Sequence, residues 1–492
     1  MLDNFISKPS TIKISDISSK FHSLMPSEHR KVFLKNKQQI LLSNHCISEN
    51  VGEQIEVQDY LSFNTGYYLG TISCMNNLIF DETKGENIPP LIYKKSSRKL
   101  IKGCFIISRN ASLGKISYFN SEKKVILNGG ISFLNFLPEF KYYVPAFFIT
   151  KFGSDYLSCI TSGGGTQQNA KRGNLLSIPI PHPTIKSNKC PNDVVRLISL
   201  FVENLISKEQ FILQKQNIIN QFIIEELKSK QKSKKNSQTN RISQIINNGL
   251  RFDSGMYSSE FKFYSGLIND YTNGFFQIPY EDLSSGSTPD VRYFSNKGIY
   301  KWVTPTDIKD EGFFNPSENI SMPSSNNINK DSVLFINRTS KGKKGEYVGI
   351  TCFYDYLYYG KGHHNQGVYR VESFDKTDKL FIVAFMNSTI MRKLCGFISQ
   401  GTKMKEMKMG NFSDIKFPKF EIDLKLKIVQ EYYNCIEIDN SMTFDNYLET
   451  ENKRNSQLGI FQLNQEIHLL REKLSILIEK IVNDEKIEIY FT

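Results

Sequence analysis

Residues 104–119, CFIISRNASLGKISYF, have the pattern of an apolar strand, a polar turn and a second strand. The same design returns in residues 333–350, VLFINRTSKGKKGEYVGI. Aligned by their turns, the two stretches place Arg338 in the second where Arg109 lies in the first. The pattern therefore predicts one strand–turn–strand unit that occurs twice in the chain.

Further matches extend this repeat outward at a nearly constant distance of about 237 residues. NGGISF at Asn128 matches NQGVYR at Asn365, and Ala146 matches Ala384 within apolar segments. GGGTQQNAKRGNLLSIPIP then matches SQGTKMKEMKMGNFSDIKFP, with the Gly-Thr, Gly-Asn and Pro positions in the same order: Gly165-Thr166 and Gly401-Thr402, Gly173-Asn174 and Gly410-Asn411, Pro181 and Pro418. The order and spacing favour a duplication over two unrelated domains that share common strand–turn patterns.

After each half the periodicity changes from that of a strand to that of a helix. The first helical segment carries apolar residues seven apart, and the second carries the alternating three-and-four spacing of a coiled-coil seam. We expect these apolar residues to pair the two helices: Ile198, Leu205, Ile212 and Ile219 from the first, and Leu463, Ile467, Leu470, Leu474 and Leu477 from the second. The alternative is that each helix oligomerises independently.

These patterns predict a first globular domain at 1–190, a spacer helix at 191–228 and a basic linker at 229–248. A second domain is predicted at 249–425, followed by a second helical region with the coiled-coil seam at 426–492. The lysine-rich stretch 228–241 contains no acidic residue and is interpreted as a solvated connector.

The formal net charge of +12 and the pI of about 9.0 favour an anionic partner, either nucleic acid or an anionic membrane surface. The eight cysteines are scattered, with no C-x-x-C pair and no secretory signal pattern ahead of them, so we expect reduced thiols. No apolar run has the length of a membrane-spanning helix. These features predict a soluble, cytoplasmic protein.

Catalytic signatures are weak throughout the sequence. NIPPLIY at Asn87 has Ile88 between the Asn and the prolines, unlike the N-P-P-Y motif of DNA amino-methyltransferases, and there is no phosphate-binding G-x-x-x-x-G-K-S/T or H-E-x-x-H sequence. The pair His363-His364 has only Cys352 near it as a further metal ligand, so no metal site is predicted. We expect neither a catalytic centre nor a cofactor in this chain.

Basic and amide side chains concentrate at the repeated features, where arginine and lysine suit phosphates and guanine edges while glutamine and asparagine suit adenine edges. The candidate DNA-binding residues are Lys102, Arg109, Lys115, Asn128, Thr166, Gln167, Gln168, Lys171, Arg172, Arg338, Lys341, Lys343, Lys344, His364, Asn365, Thr402, Lys403 and Lys405. The alternatives are that Arg109 and Arg338 close structural ion pairs at strand ends, and that 163–165 is only a flexible turn.

At this point the sequence resembles the specificity (S) subunits of type I restriction–modification systems over nearly its whole length. The strings that carry the resemblance include FIISRNASLGKISYF, NGGISF, RFDSGMYSSEF, YKWVTPTDIKDEGFF and NQGVYRV. The first half lacks a good copy of YKWVTPTDI, for which residues 39–53 are the candidate. The resemblance implies an α+β fold of two tandem target-recognition domains, mixed sheets with small helices, each followed by a long helix, with the helices pairing as an antiparallel coiled coil.

The resemblance also implies a non-catalytic subunit for phage defence whose two halves read an asymmetric bipartite site in double-stranded DNA. A helix pair of about 50 Å would set an unread gap of several base pairs. Two methyltransferase subunits would supply S-adenosylmethionine chemistry, and restriction (motor) subunits would supply ATP-driven cleavage. Rival hypotheses are a specificity-like scaffold of another phage-defence system, a membrane-surface or oligomerising structural protein, and an enzyme with an unfamiliar centre.

Overall fold

The computed structural model shows an α+β chain with two tandem compact units, which confirms the predicted fold class. Unit 1 comprises Met1–Phe211, Glu437–Ser456 and Gln465–Thr492, and unit 2 comprises Ile212–Ile436 and Gln457–Asn464. The structure describes residues 5–7, 11–15, 31–32, 34–75, 77–110, 112–160, 172–232, 254–290, 294, 297–321, 327–340, 347–401, 403–437 and 442–489. The predicted linker therefore lies mostly outside the described residues.

The described residues of the first half form eleven named strands and four short helices. The strands are β1 (Ile6–Ser7), β2 (Lys31–Val32), β3 (Gln39–Leu41), β4 (Cys46–Val51), β5 (Tyr67–Gly70), β6 (Glu86–Asn87), β7 (Phe105–Ser108), β8 (Ile116–Tyr118), β9 (Lys124–Leu127), β10 (Ile131–Phe136) and β11 (Pro179–Pro181). The helices are α1 (Pro90–Lys95), α2 (Tyr143–Ile149), α3 (Lys151–Ile160) and α4 (Arg172–Leu176). The long helix α5 (Pro191–Ser229) follows them.

The second half repeats this order. Its strands are β12 (Phe275–Phe276), β13 (Ser284–Ser285), β14 (Tyr300–Val303), β15 (Glu318–Ile320), β16 (Asn327–Ile328), β17 (Ser332–Ile336), β18 (Arg338–Thr339), β19 (Thr351–Tyr354), β20 (Gly362–His364), β21 (Val368–Val371), β22 (Lys405–Glu406) and β23 (Phe417–Pro418). Its helices are α6 (Ser259–Asn269), α7 (Tyr356–Tyr359), α8 (Lys376–Met386), α9 (Thr389–Ile398), α10 (Met409–Ser413) and α11 (Ile422–Tyr432). The last two helices of the described chain are α12 (Tyr447–Gln457) and α13 (Ile460–Asn483).

The main sheet of unit 1 is antiparallel and has the strand order β4-β10-β7-β8. Strands β7 and β8 are the two strands predicted from residues 104–119, and all their side chains are buried. Mostly apolar strands that are buried throughout are covered on both faces. A second sheet, β6-β5-β9, contains a parallel pair, and β3 pairs with β11.

Unit 2 has the same three sheets in the same order: β13-β21-β17-β19, then β15-β14-β20 with β16 added, then β12-β23. The parallel pair recurs as β14 with β20. Two unrelated domains with a common strand–turn pattern would not share all three pairings, so the duplication predicted from the sequence is confirmed.

A glycine at equivalent places makes this architecture possible in each unit. A side chain at Gly52 would lie 2.2 Å from the carbonyl oxygen of Asn128, and one at Gly286 would lie 2.0 Å from that of His364. Real Cβ atoms do not approach oxygen so closely, so only glycine lets the strand ending at these positions pass the neighbouring turn.

The structure corrects the predicted copy of YKWVTPTDI. Strand β5 occupies the place in its sheet that β14 occupies in unit 2, so the counterpart is YYLGTISCM at 67–75 and the interpretation of 39–53 was wrong. The two strings share few identities because different residues fill their equivalent apolar positions. Leu69 in the first string, for example, corresponds to Trp302 in the second.

Helix α5 pairs with a helix in each unit. In unit 1 the start of α5 lies beside the end of α13, since Ser187 donates to the carboxylate of Asp484, and Lys208 further along meets Glu466. In unit 2 Lys215 meets Glu431 and Lys230 meets Glu421 of α11 and its N-cap. Both sets of contacts run in opposite chain directions, so the pairing is antiparallel, as predicted.

The residues predicted to pair the helices are buried, with one exception. Leu477 is half-buried, and Ile478 is fully buried instead. The spacing after Leu474 is therefore four and then three, because a straight helix of 3.6 residues per turn drifts out of a strict seven-residue repeat. The fully buried members are Ile198, Leu205, Ile212, Ile219, Leu463, Ile467, Leu470 and Leu474.

A buried polar network accompanies the apolar contacts of unit 1. The ammonium of Lys208, 2% exposed, lies 2.8 Å from Glu451 and 2.6 Å from Glu466, and it donates to the Asn455 side chain at 2.7 Å. Burial raises the pKa of Glu451, but Lys208 and its hydrogen bonds outweigh this and hold that pKa below its ordinary value. Such a network favours one register of the paired helices over others.

Among the described residues, no single helix has the length and hydropathy of a membrane span. Helices α8 and α9 reach that length and hydropathy only when taken together, and the chain bends by 72° between them.

Candidate nucleic-acid interface

The repeated polar residues lie at one edge of each unit, where the parallel strands end. We call this the loop edge: in unit 1 it comprises the turns after β5, β7 and β9, and in unit 2 the turns after β14, β17 and β20. The first strand of each parallel pair is followed by a hydroxyl pair, Thr71 with Ser73 and Thr304 with Thr306, in both cases with the oxygens 2.7 Å apart. Loops at strand ends are a common place for binding side chains.

The second strand of each pair ends in the turn that contains Asn128 or Asn365. Each asparagine oxygen accepts a hydrogen bond from the glycine N–H two residues later, Gly130 or Gly367. Each asparagine therefore shapes its turn, and both side chains remain half-exposed at the loop edge. Asn365 also lies 3.5 Å from the hydroxyl of Thr288.

Arg109 and Arg338 do not occupy equivalent places. The register pairs Ser108 with Ile131 in unit 1 and Ile336 with Val368 in unit 2, so the counterpart of Arg109 is Asn337. The alignment of Arg109 with Arg338 was wrong by one residue, and successive residues of a strand point to opposite faces.

Hydrogen bonds support this correction. Both backbone N–H groups donate to the turn glycine, that of Arg109 to Gly130 at 2.9 Å and that of Asn337 to Gly367 at 3.0 Å. Both side chains then donate to the preceding carbonyl of the same turn, Arg109 to Gly129 at 2.6 Å and Asn337 to Gln366 at 3.0 Å. Arg109 is 8% exposed, so in this structure its guanidinium braces the turn.

Arg338 is half-exposed and belongs to a two-stranded ribbon. Strand β18 pairs with β22, which sets Arg338 opposite Glu406 and Thr339 opposite Lys405. Lys403 is exposed beside this ribbon. The structure thus brings Arg338 together with Lys405, two candidates that lie far apart in the sequence.

The backbone joins this ribbon to the Asn365 turn. The N–H of Met407 donates to the carbonyl of Asn337, whose side chain reaches Gln366. Three separately predicted segments therefore meet at the loop edge of unit 2.

His364 lies away from this surface. It is fully buried, and Nδ1 lies 3.0 Å from the carbonyl of Val368. Burial, with Arg370 and His363 nearby, lowers its pKa to about 3. A buried neutral ring at this position packs in the core and does not reach a ligand at the loop edge.

The remaining DNA-binding candidates of unit 1 do not meet in one cluster among the described residues. Lys102 is exposed and forms an ion pair with Glu122 at 2.8 Å, and Lys115 is exposed. Arg172 begins α4, but nothing is described of its side chain. The other candidates lie outside the described residues: Thr166, Gln167, Gln168, Lys171, Lys341, Lys343, Lys344 and Thr402.

The hydroxyl pairs are the residues that the sequence reasoning missed. Aligning YYLGTISCM with YKWVTPTDI puts Thr71 on Thr304 and Ser73 on Thr306, a match hidden by the wrong choice of 39–53. Within the described residues, no group of three or more His, Cys, Asp or Glu side chains could hold a metal ion.

Searches with family models and against curated proteins find no match to this chain. Solved structures do match. The chain is similar to S subunits of type I restriction–modification systems.

The S subunit from M. genitalium is 11% identical, with 92% of this chain and 96% of that one covered and a TM-score of 0.37. The HsdS subunit from Thermoanaerobacter tengcongensis is 11% identical, with 93% and 99% covered and a TM-score of 0.25. A chain from a structure described as the complex assembly and conformational transition of the type I system is also 11% identical, with 92% and 99% covered and a TM-score of 0.27.

Proposed function

We propose that this chain is the DNA sequence-recognition subunit of a type I restriction–modification system and is not itself an enzyme. The observation that carries the proposal is the duplicated loop edge: each unit presents a hydroxyl pair and an asparagine turn on the same scaffold. Hydroxyl and amide groups hydrogen-bond to base edges and phosphates, and the net charge of +12 supports a polyanionic ligand.

In this proposal each unit reads one part of a bipartite target in double-stranded DNA. The parts differ in sequence because the loop edges differ: unit 2 adds the ribbon with Arg338 and Lys405, whereas the counterpart of Arg338 in unit 1 is Asn110. The paired helices set the spacing between the parts and bind two methyltransferase subunits. Those subunits supply S-adenosylmethionine chemistry, and restriction (motor) subunits supply ATP-driven cleavage.

The decisive experiment is co-expression of the chain with candidate methyltransferase subunits in a host that lacks other adenine methylation, followed by mapping of the methylated positions. We expect a stable complex and one split, asymmetric motif. A complex that methylates no defined motif contradicts sequence recognition. A sequence-specific DNA-binding chain that forms no complex instead supports the specificity-like scaffold of another defence system.

A further inference from the structure

At the opposite end of the parallel strands, each unit carries a lysine stacked on a tyrosine. In unit 1 the first register pair of β5 and β9 is Tyr67 with Lys124, and the ammonium lies 4.9 Å from the ring centroid and 3.4 Å from the hydroxyl. Lys99 stacks on Tyr93 in the same way at 5.2 Å, and the two rings lie 5.2 Å apart. Both rings pack against the small apolar cluster of Leu69, Ile88 and Ile126.

Unit 2 has the same pair at the equivalent place. Lys301 pairs with Gly362 in the register of β14 and β20, so Tyr300 and Lys361 stand one position before that pair, as Tyr67 and Lys124 do before Tyr68 and Val125. The ammonium of Lys361 lies 5.9 Å from the Tyr300 ring centroid.

The charge of these lysines distinguishes them from two other stacked lysines of the molecule, Lys123 and Lys393. Lys123 stacks on Tyr68 but also pairs with Glu82 at 3.0 Å, and Lys393 stacks on Tyr264 but also pairs with Glu260. In the part of the chain that the structure describes, no carboxylate lies within ion-pair distance of Lys124 or Lys361, and both are exposed. A tyrosine face orients an ammonium without neutralising it, so its charge stays available to an anion.

We propose that the pairs Tyr67–Lys124 and Tyr300–Lys361 are phosphate-contact sites, one in each unit, for the backbone of the duplex beside the bases that the loop edge reads. The inference rests on the proposed function for its ligand. Strand β5 of four residues spans about 13 Å, whereas the major groove is about 8.5 Å deep, so a loop edge at the floor of the groove leaves the stacked lysine at its rim, near a flanking phosphate.

The competing interpretation is that each stack only stabilises its strand pair. In that case removing the lysine changes the melting temperature of the chain but not its binding to nucleic acid. The salt dependence of binding separates the two, because each lysine–phosphate contact adds about 0.9 to the slope of log affinity against log salt.

The test compares two double variants of the full chain, K124Q with K361Q and, as the matched control, K123Q with K393Q. Both remove two stacked lysines, but the control removes lysines already neutralised by glutamates. Binding to a random-sequence duplex is measured over a range of salt concentrations. We expect the first variant to bind more weakly with a slope reduced by about 1.8, and the control to keep the wild-type slope within about 0.3.

An unchanged slope in the first variant, or an equal loss in the control, overturns the proposal, as does a wild-type chain that binds no duplex at all. The variant K124R with K361R keeps the charge and should restore the slope, which excludes a folding defect. The random duplex tests phosphate contact without sequence recognition. If the salt slope depends on the two lysines but the methylation mapping finds no motif, this inference stands and the proposed function fails.

Discussion

Arg109 and Arg338 differ in what their guanidinium groups do, although they looked alike in the sequence. Arg109 is buried and donates to the carbonyl of Gly129, whereas Arg338 is half-exposed on the ribbon with Lys405. An arginine that braces a turn acts through folding, and an arginine at an exposed loop edge acts through ligand contact.

We therefore expect alanine substitution of Arg109 to affect stability and alanine substitution of Arg338 to affect DNA binding. Arg109→Ala should lower the melting temperature, since it leaves a turn carbonyl unsatisfied at a cost of about 1–3 kcal/mol. Arg338→Ala should leave the melting temperature nearly unchanged and weaken binding to the methylated motif by about 1–3 kcal/mol if Arg338 reads a base. Calorimetry and duplex titration measure the two effects, and a large melting shift for Arg338→Ala would contradict the assignment.

His364 makes the stability of the chain depend on pH. Its pKa is about 3 in the folded chain, against about 6.5 in an unfolded one, so below pH 6.5 the unfolded chain binds a proton that the folded chain does not. Stability should fall as the pH drops from 6.5 towards 3, by at most about 1.4 kcal/mol per pH unit from this residue.

The counterpart of His364 in unit 1 is Leu127, which is also fully buried, so His364→Leu is the natural variant. We expect it to lose less stability than the wild type between pH 7 and pH 5 in thermal melts. Burial also lowers the pKa of His45 and His182, so part of the pH dependence should remain. Identical pH profiles for variant and wild type would show that His364 does not titrate in this way.

At the scale of the elements, the buried network around Lys208 concentrates the polar interactions of the paired helices in unit 1. Lys208→Ala leaves the buried Glu451 with only Arg454 and Asn204 as partners, so the cost should approach the about 3–5 kcal/mol typical of breaking a buried ion pair. The control on the same helix is Arg196→Ala, whose ion pair with Asp445 is largely exposed and should contribute little. Urea unfolding of the full chain measures both, and equal effects would show that the network adds nothing beyond a surface ion pair.

At the scale of the whole molecule, the proposed function and the duplication together predict that the two units read DNA independently. If each unit recognises its own part of the target, Arg338→Ala should relax only one part of the methylated motif. The other part should remain as strict as in the wild type, because its contacts come from the loop edge of unit 1. Methylation mapping of the variant complex measures this, and relaxation of both parts would contradict independent reading.

The sequence by itself determined the duplication, the α+β class, the long helices and most of their apolar seam. These features are periodic, and periodicity in hydrophobicity is set by the geometry of helices and strands whichever residues fill the apolar positions. The strand–turn–strand at 104–119 was predictable for the same reason, as was the first strand of its copy, whereas the second strand of the copy is Thr351–Tyr354 and lies just beyond the predicted stretch 333–350.

Only the tertiary structure decided which residues of the two halves are equivalent and which way they face. Matching arginine to arginine seemed natural, but the register of a sheet is set by backbone hydrogen bonds, and a slip of one residue moves a side chain to the other face. For the same reason Arg109 became a turn brace, His364 a core residue, and Tyr67 and Lys124 partners despite the distance between them in the sequence. Pairings of this kind depend on contacts between distant segments, which no local pattern contains.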